Sequence, residues 1–92
     1  MISESRVRTA KPTEKPYRLS DGRGLYVHVV PAGGRYWRFN YRFNGRQKTL
    51  ALGIYPDVPL AKARELHQEA RRQLAEGIDP GVVKQAMNSV FE

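Results

Sequence analysis

The dipeptide Asn44-Gly45 stands between two stretches of alternating side-chain character, and it constrains this chain more than any other feature. Both central residues of a type I′ turn need positive φ, which Asn and Gly tolerate, so a two-residue loop here joins two antiparallel strands. Upstream, Tyr36 to Phe43 alternates Trp37, Phe39, Tyr41 and Phe43 with Tyr36, Arg38, Asn40 and Arg42; downstream lies Arg46 to Leu52. So short a loop also sets the register. Phe39 should face Leu50, Trp37 face Leu52, Asn40 face Thr49, Arg42 face Gln47 and Arg38 face Ala51. One side of the ribbon is then apolar and the other polar.

Leu25 to Val30 reads as a further strand, entered from a turn cluster at Leu19 to Gly24 and left through Pro31-Ala32-Gly33-Gly34. Leu25, Val27 and Val29 should join Trp37, Phe39, Leu50 and Leu52 on the inner face, with Tyr26, His28, Arg38, Asn40, Arg42, Gln47 and Thr49 outside. Leu60 to Glu76 supplies a cover for the apolar face. Leu60, Ala63, Leu66, His67, Ala70 and Leu74 fall on one stripe of a 3.6-residue period, and Gly77 and Pro80 end it. The expected fold is α+β: a three-stranded antiparallel β-sheet packed on one amphipathic α-helix, with a short C-terminal helical tail suggested by Val82, Val83, Ala86, Met87 and Val90. Pro12 and Pro16 mark residues 1–16 as a flexible, extended N-terminal arm, with order beginning near Tyr17. The domain proper is expected over 17–79 and a linker or the start of a following helix over 80–92, the apolar tail suggesting a piece of a longer protein.

Composition narrows the function. The net charge of +7 is unevenly spread: residues 23–56 carry Arg23, Arg35, Arg38, Arg42, Arg46 and Lys48 and no acid. A one-signed segment attracts polyanions. The outward Arg, Asn, Gln and Thr side chains are the donor and acceptor set that reads base edges where a two-stranded ribbon enters a major groove. The candidate contacts to double-stranded DNA are therefore Arg38, Asn40, Arg42, Gln47 and Thr49, with Arg46 and Lys48 at the hairpin tip, and His28, suited to phosphates. Two other readings stay open, a double-stranded RNA-binding module and a protein-interaction domain using the exposed Tyr26 and Tyr36.

Catalysis has little to work with. Ninety-two residues leave no room for a walled active-site cavity, and without cysteine there is neither a thiolate nor a cysteine zinc site. His28 has no carboxylate near it in sequence, and His67 sits on the apolar stripe, where a hydrogen-bonded core histidine is the simpler reading. Glu65 and Glu69, interspersed with Arg64 and Arg72, read as surface ion pairs. No cofactor, metal or small-molecule substrate is expected. No apolar run suggests an export signal or membrane span, so a cytoplasmic setting on the nucleoid is the expectation.

Several motifs occur in order: Lys15-Pro16-Tyr17, Leu19-Ser20-Asp21-Gly22, Gly24-Leu25-Tyr26-Val27, Gly33-Gly34, Tyr36-Trp37-Arg38-Phe39, Tyr41-Arg42, Gly45, Leu52-Gly53-Ile54-Tyr55-Pro56, Leu60-Ala61 with Ala63-Arg64, and Gly77-Ile78-Asp79-Pro80. From about Lys11 to Pro80 the chain resembles the N-terminal arm-binding domain of phage-type integrases, the tyrosine recombinases of prophages and genomic islands. The resemblance implies a three-stranded sheet on a helix that binds arm-type repeats beside the recombination site. It implies the remainder of an integrase chain as partner and a catalytic tyrosine domain that these residues do not include. Its groove-facing positions fall on Arg38, Asn40, Arg42, Gln47 and Thr49. Pro59 departs from the Ser or Thr that commonly precedes the helix, so Asp57 is expected to take over capping with a shifted start.

Overall fold

The computed structural model describes residues 1–84. Its elements are α1 (Glu4–Arg8), β1 (Tyr17–Gly22), β2 (Leu25–Val29), β3 (Arg35–Phe43), β4 (Arg46–Ile54) and α2 (Leu60–Ala75), with residues 80–84 helical again. The expected helical tail beyond residue 84 lies outside the described residues.

The sheet has four antiparallel strands in the order β1-β2-β3-β4, which corrects the three-stranded expectation. The stretch read as a turn cluster is itself a strand followed by a hairpin. Arg23 and Gly24 occupy the turn at φ 54° and 89°, the same left-handed pair of conformations that Asn44 and Gly45 adopt at 52° and 77°. An Arg-Gly turn is not a signature anyone reads from sequence, because Arg enters the left-handed region at a steric cost that only the surrounding sheet repays. Ser20-Asp21-Gly22 compounds the difficulty, since these turn formers here end an edge strand with a register shift between Ser20 and Gly22.

The Asn44-Gly45 hairpin pairs Phe39 with Leu50, Asn40 with Thr49, Arg42 with Gln47 and Arg38 with Ala51, as the loop length requires. The expected pairing of Trp37 with Leu52 is corrected. A bulge between Trp37 and Arg38 sets Trp37 opposite Gly53 instead, while Leu52 still packs against the core. Gly53 takes φ 136°, and a Cβ built there would lie 2.4 Å from Val58 Cγ2, so the close approach of the β4–α2 connection needs a residue without a side chain.

The core lies between the sheet and α2. Trp37, Leu25, Val27, Tyr55, Leu60 and Ala63 form its centre, and Phe39, Tyr41, Leu50 and Ala70 continue it toward the hairpin tip. The Trp37 indole N–H donates to Val58 O at 2.6 Å, which satisfies its one polar atom inside the core. His67 is buried on the apolar stripe of α2, its Nε2 3.0 Å from Arg23 O and its ring edge-on to Phe39.

Order begins well before Tyr17, in place of a flexible arm. Ser3 caps α1 through its side chain, and Val7 is fully buried in the same cluster as Trp37. Arg35 clamps the end of α1 by donating to Val7 O and Arg8 O, each at 3.0 Å. One apolar residue among Glu4, Arg6 and Arg8 gives no periodicity, so five residues this polar carry no helical signal by themselves. α2 begins at Leu60 without the expected shift: Pro59 is its N-cap and offers no side-chain bond, and Glu4 takes the capping role expected of Asp57.

Candidate nucleic-acid interface

The strand register places one row of side chains after another on the face away from α2. Arg18, His28 and Tyr36 lie side by side across β1, β2 and β3; Ser20, Tyr26, Arg38 and Ala51 form the next row; Asn40 with Thr49, then Arg42 with Gln47, lead to the hairpin tip. These rows contain three arginines and no carboxylate. The positive side chains are spread along a regular twisted sheet, which holds them more rigidly than loops would.

The acids lie elsewhere and are largely engaged. Asp21 accepts from Arg64 Nε and NH2 at 3.0 and 2.9 Å and from the Ile2 N–H at 3.0 Å, on the helix side. The Arg64 bonds hold its carboxyl below the usual value against the opposing effect of burial. Glu69 and Glu76 both pair with Arg72 on the exposed side of α2. The potential of the sheet face is therefore uncompensated by neighbouring carboxylates of these groups.

Arg38, Asn40, Arg42, Gln47 and Thr49, singled out in the sequence, share this face, and His28 joins them. Lys48 and Arg46 do not. Lys48 stands opposite Tyr41 and Arg46 opposite Phe43, so register sets both on the α2 side of the hairpin, although Arg46 at the tip stays exposed. The Lys48 ammonium is bonded to Asp79 and lies 5.8 Å from the Phe43 ring centroid. Asp79 is buried and accepts in addition from the Tyr41 hydroxyl at 2.6 Å and the Gly81 N–H at 2.9 Å. Burial pushes the Asp79 carboxyl up, but the bonds from Lys48, Tyr41 and Gly81 together outweigh it and hold it below the usual value. Burial and the neighbouring Asp79 charge push the Tyr41 hydroxyl up to about 12. This cluster ties the hairpin to the start of the helical segment at residue 80; it is structural in character.

Tyr26, expected to be exposed, is only 7% so. The Arg18 guanidinium covers its ring at 4.9 Å from the centroid, a cation–π contact, and its hydroxyl donates to Asn40 Oδ1. A covered tyrosine offers little to a protein partner. Arg18 and Ser20 are members of the face that the sequence reading missed. The signal was the alternation of Tyr17, Leu19 with Arg18, Ser20, masked by the turn-forming residues that follow.

Among the described residues no helix is long and apolar enough to cross a membrane, and no group of His, Asp and Glu is placed to hold a metal ion.

Residues 2–87 match the family model of the arm DNA-binding domain. The chain is 40% identical over 89 residues to the integrase of Shigella phage Sf6 and, to the same degree, to the prophage integrase IntS of Escherichia coli K12; each alignment covers 97% of this chain and 23% of the relative. The integrase of Enterobacteria phage P4 is 44% identical over 85 residues, covering 90% of this chain and 19% of that protein. The chain thus spans about a fifth to a quarter of the length of these curated relatives.

Proposed function

The chain belongs to the arm DNA-binding domain family, and from that premise we propose that its outer sheet face enters the major groove of double-stranded DNA at arm-type repeats of a mobile element. The observation that carries this reading is the acid-free face on which Arg18, Arg38, Asn40, Arg42, Gln47 and Thr49 stand in register. A groove about 12 Å wide admits a two-stranded ribbon such as β3–β4. Within it, Arg42 and Gln47 near the tip and Asn40 with Thr49 behind them address base edges, while Arg18 on the outer strand is placed for a flanking phosphate.

Relatives named integrase suggest a role in a longer site-specific recombinase. In that setting these residues hold the protein on arm DNA and take no part in strand cleavage. Tethering at one site raises the local concentration of the linked catalytic unit at another, so affinity here becomes efficiency of assembly there.

Fluorescence anisotropy with labelled duplexes from the ends of the element, scrambled DNA and duplex RNA, over a salt series, tests the reading. Preference for the element's DNA, with log affinity falling by about 0.9 per log salt for each phosphate neutralised, supports it. Equal binding to duplex RNA would favour a double-stranded RNA reader, and weak, salt-independent binding would leave the face as a protein-contact or solvated surface.

A further inference from the structure

Asn40 on the outer face has two inequivalent ends. Thr49, directly opposite on β4, donates to Asn40 Oδ1 at 2.8 Å, and Tyr26, diagonal on β2, donates to the same oxygen at 3.2 Å. Tyr26 has little freedom to do otherwise, since it is buried beneath Arg18. Both lone pairs of Oδ1 are therefore used, and the amide NH2 has no hydrogen-bond partner among the described residues.

The consequence is chemical. Reading adenine in the major groove takes both ends of an amide at once, the oxygen accepting from N6 and the nitrogen donating to N7. With Oδ1 committed to two hydroxyls, Asn40 presents donors only. Donors match guanine O6 and N7 or thymine O4, and they oppose the exocyclic amino groups of adenine and cytosine. Turning the amide round would make a phenol an acceptor, its weaker role, so the two hydroxyl donors favour the orientation with Oδ1 toward them.

We infer that Asn40 selects a keto base, guanine or thymine, on the strand whose base edge it faces, and that Tyr26 and Thr49 are positioning residues that impose this choice by occupying its oxygen. The inference rests on the DNA-binding reading proposed above and goes further by naming the base chemistry at one position.

The test is selection from a randomised duplex library by the 92-residue chain, followed by sequencing, for the wild type and for Asn40→Ala, Asn40→Asp, Thr49→Val and the double variant Tyr26→Phe/Thr49→Val. The position at which Asn40→Ala erases the preference is the one Asn40 faces. There the wild type should favour a keto base over adenine by about tenfold or more, and Asn40→Asp, which presents acceptors only, should turn the choice toward an amino base. Releasing Oδ1 in the double variant should admit adenine at that position while every other position of the motif keeps its preference; a merely structural loss would weaken all positions alike. Thr49→Val, at an exposed site, should give a partial version of the same change should the double variant fold poorly. Adenine selected there by the wild type, or an unchanged choice in both Thr49→Val and the double variant, overturns the inference and leaves the DNA reading standing. Absence of any enriched motif overturns both.

Discussion

The Glu4 carboxylate accepts a hydrogen bond from the Leu60 N–H at 3.0 Å, joining two residues 56 positions apart in the chain. α2 starts behind Pro59, which has no side chain able to cap it, so an orphan N–H at its first turn is satisfied by a different helix. The negative charge also sits at the positive end of the α2 dipole. The N-terminal segment is thereby part of the fold. Glu4→Ala should lower stability by about 0.5–2 kcal/mol, the ordinary cost of a lost cap, and Glu4→Gln by less, since an amide oxygen still accepts. Chemical denaturation of the two variants checks the order.

Arg42 and Lys48 belong to opposite faces of one hairpin, and their substitutions should part accordingly. Arg42→Ala should cost on the order of 1–3 kcal/mol on the selected DNA and less on random duplex, with little change in stability. Lys48→Met should leave both affinity and the salt slope near those of the wild type, because its ammonium is spent on Asp79. Its effect should appear in stability, on the order of 1 kcal/mol or about 4–8 °C in the midpoint, moderated by the 39% exposure of the lysine side chain. Anisotropy titrations and thermal melts on the same preparations separate the two.

Arg18 stands on the strand that the sequence reading missed, one row from Arg38. If it neutralises one phosphate, Arg18→Ala should reduce the salt slope by about 0.9 and weaken binding to all duplexes by a similar factor. A slope equal to that of the wild type would place Arg18 outside the interface, leaving it only as a cover for Tyr26.

Trp37 and Gly53 meet at the bulge. Trp37→Ala should destabilise by about 3–5 kcal/mol through loss of the largest fully buried side chain. Gly53→Ala should cost more than about 1 kcal/mol, since its φ and the 2.4 Å approach to Val58 both oppose a Cβ. Thermal melts of both report on whether the register across this bulge holds.

Acid should destabilise the fold in two stages. Burial holds the His67 imidazole below its ordinary value of 6.5, against the bond to Arg23 O. The unfolded chain therefore binds a proton there first, and stability falls as pH drops from 6.5 toward the folded value, by at most about 1.4 kcal/mol per pH unit for one proton. Asp21 and Asp79 are both held below the ordinary 3.8, so what they contribute is present above that pH and is lost as pH falls through their folded values. Melts between pH 7.5 and 2.5 should show both stages. His67→Phe should abolish the upper one and leave the lower.

The centre of this protein is legible in its amino acids alone. Asn44-Gly45 between alternating strands, the apolar stripe of Leu60 to Leu74 and the acid-free stretch around Arg38 and Arg42 are local signals, each set by backbone sterics, periodicity or charge, and the β3–β4 pairing and the membership of most of the polar face follow from them. What lay beyond its reach depends on contacts between distant residues. Arg23 in a left-handed turn makes sense only with β1 already beside β2, and Val7 is helical and buried because Arg35, Asp21 and the start of α2 hold its neighbours. The same holds at the interface. Composition offers Lys48 as a basic residue like any other, and register alone turns it inward to Asp79; Asn40 reads from sequence as an amide with two free ends, and the hydroxyls of Tyr26 and Thr49 take one of them. These points wait on the fold because a hydrogen bond fixes which polar atoms remain to meet a ligand, and its partners come from strands that only folding brings together.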